Sequence, residues 1–137
     1  MEPMETILAW EKAWNSRDFE KASSYLAEDY VLENVATGVS TRGRAEFAAY
    51  MDSLLQAFPD LKFENKGVIV SGNKAASEYV VSGTQKNEFR GMPATGKSFA
   101  MKCCSICEFK EGLYARETMY TDTATMMRQL GHIPSPG

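Results

Sequence analysis

The sequence has one histidine, three cysteines and no excess of basic residues, and these shortages exclude several classes of protein. The net charge of −3 argues against nonspecific nucleic-acid binding, because the phosphate backbone attracts strongly basic surfaces. No uninterrupted apolar run approaches the roughly 20 residues of a membrane span. The acidic start of the chain, with Glu2 and Glu5, is unlike a signal peptide. We therefore expect a cytoplasmic protein with no nucleic-acid or membrane partner.

The three cysteines are too few and too close together for a disulfide framework. On a strand, Cys103 and Cys107 would lie about 13 Å apart at roughly 3.3 Å per residue, which is too far to bridge. A zinc site needs further ligands, and the single histidine, His132, lies in the tail. We expect buried apolar thiols, and we predict neither a metal nor a cofactor.

The remaining composition is that of an ordinary globular domain. The chain has 137 residues, of which 44% are hydrophobic and 24% charged, so one domain over residues 1–137 can bury its own core. Residues 132–137 carry two prolines and are predicted to be a loose tail.

The hydrophobic period changes along the chain from helical to alternating. Apolar spacing and capping residues predict helices over residues 4–14, 19–26, 44–58 and 123–130. Alternation and turn residues predict strands over residues 30–35, 61–70, 75–85, 99–109 and 113–121. Helices followed by a run of antiparallel strands indicate the α+β class, with the helices packed on one face of the sheet.

Several segments, in order and spacing, are those of a known family. GMPATGKSF (91–99) resembles the G-x-P-x-T-G-[KR] loop of SnoaL-like proteins, which are members of the NTF2-like superfamily. GTQKNEF (83–89), FKEG (109–112) and DTATMMRQLG (122–131) agree with that family in register, and residues 9–34 look like its opening helices and first strand.

This resemblance implies a cone in which a curved antiparallel sheet wraps N-terminal helices around a ligand pocket. It also implies a homodimer. Polyketide cyclases of the family close a ring by an intramolecular aldol condensation, whereas relatives with the same fold include isomerases, dehydratases and pure binding proteins. The fold therefore does not settle the function.

The resemblance also implies which positions carry the cyclase chemistry. The family's Asp on the last strand corresponds to Met119, its His on the preceding strand to Ser105, and a second His to Gln85. None of these side chains titrates near neutral pH. We therefore expect that this chain keeps the family's pocket, whereas the usual acid and base groups of the cyclases are absent or are replaced by groups at other positions.

One carboxylate can replace the lost acid. Glu117 lies two residues before Met119 and therefore shares its strand face. If that face lines an apolar cavity, the pKa of Glu117 rises and the residue becomes a candidate general acid/base; the alternative is a charge pair across the sheet. The predicted ligand-binding residues are Trp14, Tyr30, Asn34, Tyr79, Gln85, Cys103, Ser105 and Met119.

Some of these residues have a purely structural alternative. Trp14 and the two tyrosines can equally belong to the core, and Asn34 can be a turn residue at the end of its strand. On the fourth predicted strand, residues 99–109, one face is expected to point inward and the other to suit a dimer interface. The inward set is Phe99, Met101, Cys103, Ser105 and Cys107, and the outward set is Lys102, Cys104, Ile106 and Glu108.

Three functions remain open at this point. The first is a protein that binds a small, largely apolar molecule of polyketide or steroid type without cyclase activity. The second is an isomerase, dehydratase or aldol cyclase that acts on a carbonyl compound through Glu117. The third is an assembly module that uses the fold only to dimerise, for which a filled cone without a cavity would be expected.

Overall fold

The computed structural model describes residues 1–134, and within this range four helices accompany a six-stranded sheet. The helices are Pro3–Asn15 (α1), Phe19–Ser23 (α2), Gly43–Ala57 (α3) and Thr123–Gln129 (α4). The strands are Leu26–Asn34 (β1), Ser40–Arg42 (β2), Lys62–Ser71 (β3), Lys74–Thr84 (β4), Ser98–Lys110 (β5) and Leu113–Thr121 (β6).

The strands form one sheet in the order β2-β1-β6-β5-β4-β3. Neighbouring strands are antiparallel except for β1 and β6, which run parallel and bring the first and last long strands together. The long strand β5 pairs with β4 and β6, from Ser98 opposite Thr84 to Lys110 opposite Leu113. Its alternating sequence buries one face, as the pattern predicts, with Phe99, Met101, Cys103, Ser105, Cys107 and Phe109 pointing inward.

Two aspartates start the short helices. The carboxylate of Asp18 accepts a hydrogen bond from the Lys21 amide at 3.2 Å, and that of Asp122 accepts from the Thr125 amide at 3.3 Å. Each bond satisfies an amide that the first turn of a helix leaves without a partner. Hydrogen bonding to Thr125 also lowers the pKa of Asp122, as expected for a carboxylate that caps a helix.

An aromatic cluster joins the first and third helices to the concave face of the sheet. The Trp10 and Trp14 rings lie 5.2 Å and 4.9 Å from the Phe63 ring on β3, both edge to face. On the other side, the Tyr30 ring of β1 lies 5.2 Å from the Phe47 ring of α3. These contacts bury large apolar surfaces and fix the distance between helices and sheet.

The Asn15 side chain, at the end of α1, hydrogen-bonds to the backbone of β3 as a neighbouring strand would. Asn15 donates from Nδ2 to the Phe63 carbonyl at 2.7 Å and accepts at Oδ1 from the Phe63 amide at 3.0 Å. The next turn adds a second tie, since Arg17 donates from Nη2 to the carbonyls of Pro59 and Leu61. Edge strand β3 thereby gains partners for backbone groups that no further strand satisfies.

The structure differs from the sequence-based expectation at the start of the sheet. The second helix ends at Ser23 and not at residue 26, because Leu26 already belongs to β1. Strand β2 lies between the predicted strand 30–35 and the predicted helix 44–58, where the sequence pattern predicts neither helix nor strand, because three residues are too few to give a periodic signal. Within residues 1–134, no helix is both long enough and apolar enough to cross a membrane.

The expected loose tail is only partly described. Its first residue is held, because the His132 amide donates to the Met127 carbonyl at 2.9 Å and the ring Nε2 is 2.7 Å from Gln85 Oε1. Residues 135–137 of the predicted tail lie outside the described residues.

Asn15→Ala is expected to lower the free energy of unfolding by about 1–3 kcal/mol, because it leaves both backbone groups of Phe63 without their partner. Urea unfolding followed by tryptophan fluorescence measures the change. Ser16→Ala is the matched control, since its hydroxyl bonds only to carbonyls of its own helix and its loss should cost less than about 0.5 kcal/mol. Equal stability of the two variants would show that the tie to β3 contributes nothing.

Candidate active site

A cavity of about 130 Å³ lies between the concave face of the sheet and helices α1, α3 and α4. Most of its wall is aliphatic or aromatic, and polar side chains are few. Six of the predicted site residues line it, namely Tyr30, Asn34, Tyr79, Ser105, Glu117 and Met119. A filled cone, which an assembly module would predict, is therefore not what the structure contains.

Strand β6 carries the carboxylate of this cavity. Glu117 sits opposite Cys107 on β5 and beside Leu32 on β1, so its strand is flanked on both sides at that level. Its Oε1 accepts a hydrogen bond of 2.7 Å from the Tyr30 hydroxyl. By accessible area the Glu117 side chain is only half-buried, because part of its surface borders the cavity. The rest of the side chain is surrounded by protein atoms.

The environment of Glu117 favours its protonated form. Burial raises the pKa of Glu117 above the ordinary carboxyl range, and this effect outweighs the opposing hydrogen bonds from Tyr30 and Ser105, which lower it. A carboxyl group with a raised pKa can take up and return a proton nearer neutral pH than an exposed one.

A second hydroxyl pair lies next to the carboxylate. The Tyr79 hydroxyl and Ser105 Oγ are 2.7 Å apart, and Ser105 also hydrogen-bonds to Glu117. Burial, and then the charge of Glu117, raise the pKa of Tyr79 well above its usual value, and burial does the same to the pKa of Tyr30. Both phenols therefore stay protonated at neutral pH and act as hydrogen-bond donors.

The wall of the cavity also contains a buried amide side chain, that of Asn34. Asn34 is the last residue of β1, and its Oδ1 accepts hydrogen bonds from the Ala36 and Thr37 amides at 3.1 and 3.4 Å. These bonds give Asn34 the structural role of a turn residue at the end of its strand, the alternative stated from the sequence. Its Nδ2 has no hydrogen-bond partner among residues 1–134. A donor on the cavity wall is therefore left for a ligand oxygen.

Three of the predicted ligand-binding residues lie outside the lining of this cavity, and Trp14 is the first. The Trp14 ring packs on the Trp10 ring, with 6.1 Å between their centroids, and on the Phe63 ring. Trp14 is therefore a core residue, which is the structural alternative stated for it from the sequence. It faces a separate cavity of about 280 Å³ between α1, α2 and α3.

Gln85 is the second, and it holds a loop together. The fully buried side chain donates from Nε2 to the carbonyls of Asn87, Met92 and Pro93 and pairs with His132 through Oε1. Those partners occupy its amide, so it has no free group for a ligand.

Cys103 is the third, and it is a packed thiol. Its Sγ is 3.6 Å from the Met101 carbonyl, and burial raises its pKa to about 12. All three cysteines are free; Cys103 and Cys107 are buried, as expected, whereas Cys104 is only half-buried. Burial also raises the pKa of Cys107. A thiol with such a pKa stays protonated and is a poor nucleophile.

The structure adds cavity residues that sequence reasoning missed. Glu11 on α1 is half-buried, and burial raises its pKa, while a hydrogen bond with the Asn65 backbone lowers it. Arg90, Ser77 and Cys107 also line the cavity. Cys107 follows Ser105 by two residues, and this spacing predicts that both side chains lie on the inner face of β5. Nothing in the local sequence predicts that Arg90 lines the cavity. Among residues 1–134, no group of His, Cys, Asp or Glu has the arrangement of a metal site.

A curved sheet closed by helices over an apolar cavity defines the NTF2-like fold. The chain belongs to the SnoaL-like polyketide cyclase family, whose model matches residues 5–130. No curated protein is significantly similar to it in sequence.

Solved structures with the same fold cover nearly the whole chain. IdmH from Streptomyces antibioticus is 27% identical over 96% of this chain and 99% of its own, with a TM-score of 0.85. TsrD from Streptomyces laurentii is 25% identical over 95% of each chain, with a TM-score of 0.81. A protein from Catenulispora acidiphila with a ketosteroid isomerase-like fold, solved with trimethylamine, is 17% identical over 99% of this chain and 100% of its own, with a TM-score of 0.82.

Glu117→Gln is expected to stabilise the fold at pH 8 and to lose that advantage as the pH falls towards 4. A pKa that is higher in the folded than in the unfolded chain makes the folded state bind more protons, so wild-type stability falls as the pH rises through this window. Gln keeps an oxygen for Tyr30 and never ionises. Urea midpoints of both proteins at several pH values test this, and a constant difference between them would contradict it.

Proposed function

We propose that this protein binds a small, largely apolar carbonyl compound in the cone cavity and moves a proton at the carbon next to the carbonyl, with Glu117 as general acid/base. The observation that carries the proposal is the Glu117 carboxylate on an apolar cavity wall, hydrogen-bonded to Tyr30. Polyketide-like and steroid-like molecules are the ligand classes suggested by membership of the family and by the apolar lining.

The proposed step uses groups already in the cavity. The ionised carboxylate takes the proton from carbon, and the electrons move into the carbonyl to give an enolate. A hydroxyl of the Tyr79–Ser105 pair, or the unpaired amide of Asn34, donates a hydrogen bond to the enolate oxygen. Tyr30 holds the carboxylate in place.

The fate of the enolate defines the reaction class. Return of the proton to another carbon is an isomerisation, loss of a β-hydroxyl group is a dehydration, and attack on a second carbonyl of the same molecule is an aldol cyclisation. Glu117, protonated after the first step, is the acid that completes each of them.

Ligand binding without turnover is the second candidate. It is favoured by the way the polar groups satisfy one another, because Tyr30 is bonded to Glu117 and Tyr79 to Ser105. Arranged in this way, the hydroxyls stabilise the fold without needing a substrate. Met119 and Ser105, which the resemblance places where cyclases carry Asp and His, also line the cavity without a titratable group.

Wild-type protein is expected to speed the exchange of the α-protons of 2-tetralone for deuterium, measured by proton NMR. Glu117→Gln should reduce the rate by about 100-fold or more, to that of buffer, since a positioned base contributes roughly 10²–10⁴. Glu33→Gln is the matched control, because Glu33 is an exposed carboxylate on the same sheet.

The result also separates the two candidate functions. Binding of 2-tetralone should survive Glu117→Gln, because the apolar wall is unchanged. A wild-type protein that binds the ketone without exchanging its protons would support binding alone. Equal exchange by wild type and Glu117→Gln would exclude Glu117 as the base.

We also propose that two copies associate through the outer face of β5 and its neighbours. Ile69, Ile106 and Tyr120 are exposed there by 74%, 43% and 50%. A two-fold axis between Cys104 and Ile106 would place Lys102 opposite Glu108 of the partner subunit, so this face is complementary in charge to itself.

Ile106→Lys is expected to convert a dimer into a monomer, because it puts two like charges near the proposed axis. Light scattering after size-exclusion chromatography measures the mass. Leu8→Lys is the matched control, since Leu8 on α1 is exposed by 44% and lies away from this face. A monomeric wild type, or a variant that stays dimeric, would contradict the proposed interface.

A further inference from the structure

Arg90 is the only basic residue in the described lining of the cavity, where the other charged residues are Glu11 and Glu117. It lies in the connection between β4 and β5, at the end of the sheet where Thr84 pairs with Ser98. Glu117 pairs with Cys107, nine residues further along β5 (107 − 98 = 9). Arg90 and Glu117 therefore lie at different positions along the cavity wall.

The backbone at Arg90 is held in a conformation that arginine rarely adopts. Phe89 and Met92 exchange backbone hydrogen bonds of 2.9 and 2.8 Å, and the two residues between them, Arg90 and Gly91, have φ angles of 49° and 81°. Positive φ at both central positions is the type I′ turn, which usually carries Asn, Asp or Gly first. Local turn geometry therefore does not explain an arginine at this position.

The turn at residues 89–92 is held in place by the ring of Phe89 and by the side chain of Gln85. The Phe89 ring is buried and packs edge to face on Phe58 at 5.0 Å. Gln85 donates to the Met92 and Pro93 carbonyls on the other side of the turn. The Arg90 guanidinium lies 4.8 Å from the centroid of the buried Phe89 ring, so this exposed residue rests its side chain on a fixed surface.

No protein group uses the N–H donors of the Arg90 guanidinium within residues 1–134. The ion pairs there join Lys66 to Glu64 and Lys74 to Glu108, and Arg90 forms neither an ion pair nor a hydrogen bond. A guanidinium fork matches the two oxygens of a carboxylate. A single cation in the described lining suits a singly charged carboxylate better than a phosphate dianion.

We propose that Arg90 binds a carboxylate on the ligand, whose apolar body extends from the turn into the cavity. The substrate class is then an elongated carbonyl compound with its reacting carbon at Glu117 and its carboxylate at the other end. This inference rests on the proposed function for the position of the reacting carbon, and on the turn geometry alone for the anion.

The test compares a carboxylate with its neutral isostere. The probes are 6-(2-naphthyl)hexanoate and 6-(2-naphthyl)hexanamide, and their dissociation constants are measured by fluorescence at pH 8 in low salt. Wild type should bind the acid about tenfold tighter than the amide, which corresponds to one charge-assisted contact of ~1.4 kcal/mol. Arg90→Gln should remove that preference and leave amide binding unchanged.

Lys86→Gln is the matched control, since it removes one positive charge from the same connection at an exposed residue outside the lining. It should keep most of the preference for the acid. Equal binding of the two probes by wild type, equal weakening of both by Arg90→Gln, or a Lys86→Gln effect as large as that of Arg90→Gln would overturn the proposal.

The two proposals fail separately. The probe comparison involves no proton transfer, so the preference for the acid can hold even if Glu117 exchanges no protons. Conversely, 2-tetralone carries no carboxylate, so its exchange by the wild-type protein tests Glu117 and does not depend on whether Arg90 binds an anion. Loss of 2-tetralone exchange in Arg90→Gln would show a structural role for the residue and count against specific carboxylate binding.

Discussion

The hydrogen bond between Tyr30 and Glu117 is the polar contact around which the interior is arranged. A carboxyl group in an apolar cavity is tolerated only when its neighbours satisfy it, and here the hydroxyls of Tyr30 and Ser105 do so. The phenol can reach the carboxylate because β1 and β6 lie side by side and in parallel. Desolvation still dominates and raises the pKa of Glu117, so the ionised form of this group destabilises the fold.

The cavity exists because the helices do not cover the whole concave face of the sheet. Aromatic contacts hold α1 and α3 on the concave face, but the rings of Trp10, Phe47 and Phe63 meet one another near the helices and leave the middle of the sheet uncovered. The polar groups of β5 and β6 then line the gap from one side. A tighter helix layer would bury more apolar area and close this cavity.

The sequence predicted those features that depend on local pattern. Alternation along β5 placed Ser105 on the inner face, the two capping aspartates located short helices, and the two-residue step from Met119 put Glu117 on the cavity side. Features that depend on distant partners were missed. Gln85 is occupied by the carbonyls of its own loop and by His132, and Arg90 reaches the cavity through a turn that no periodicity reveals. The parallel pairing of β1 with β6 likewise follows from topology and not from any local signal.

The parallel pair also has a consequence for how the molecule forms. Its ladder joins Leu32 to Glu117, so closing it requires a loop of more than eighty residues (117 − 32 = 85). Contacts between such distant segments form late and slow the folding of a domain, since the entropy of closing the loop must be lost first. During synthesis on the ribosome, Tyr30 emerges early and waits for a partner that comes near the end of the chain. The contact between Tyr30 and Glu117 therefore forms only after both β1 and β6 have been synthesised.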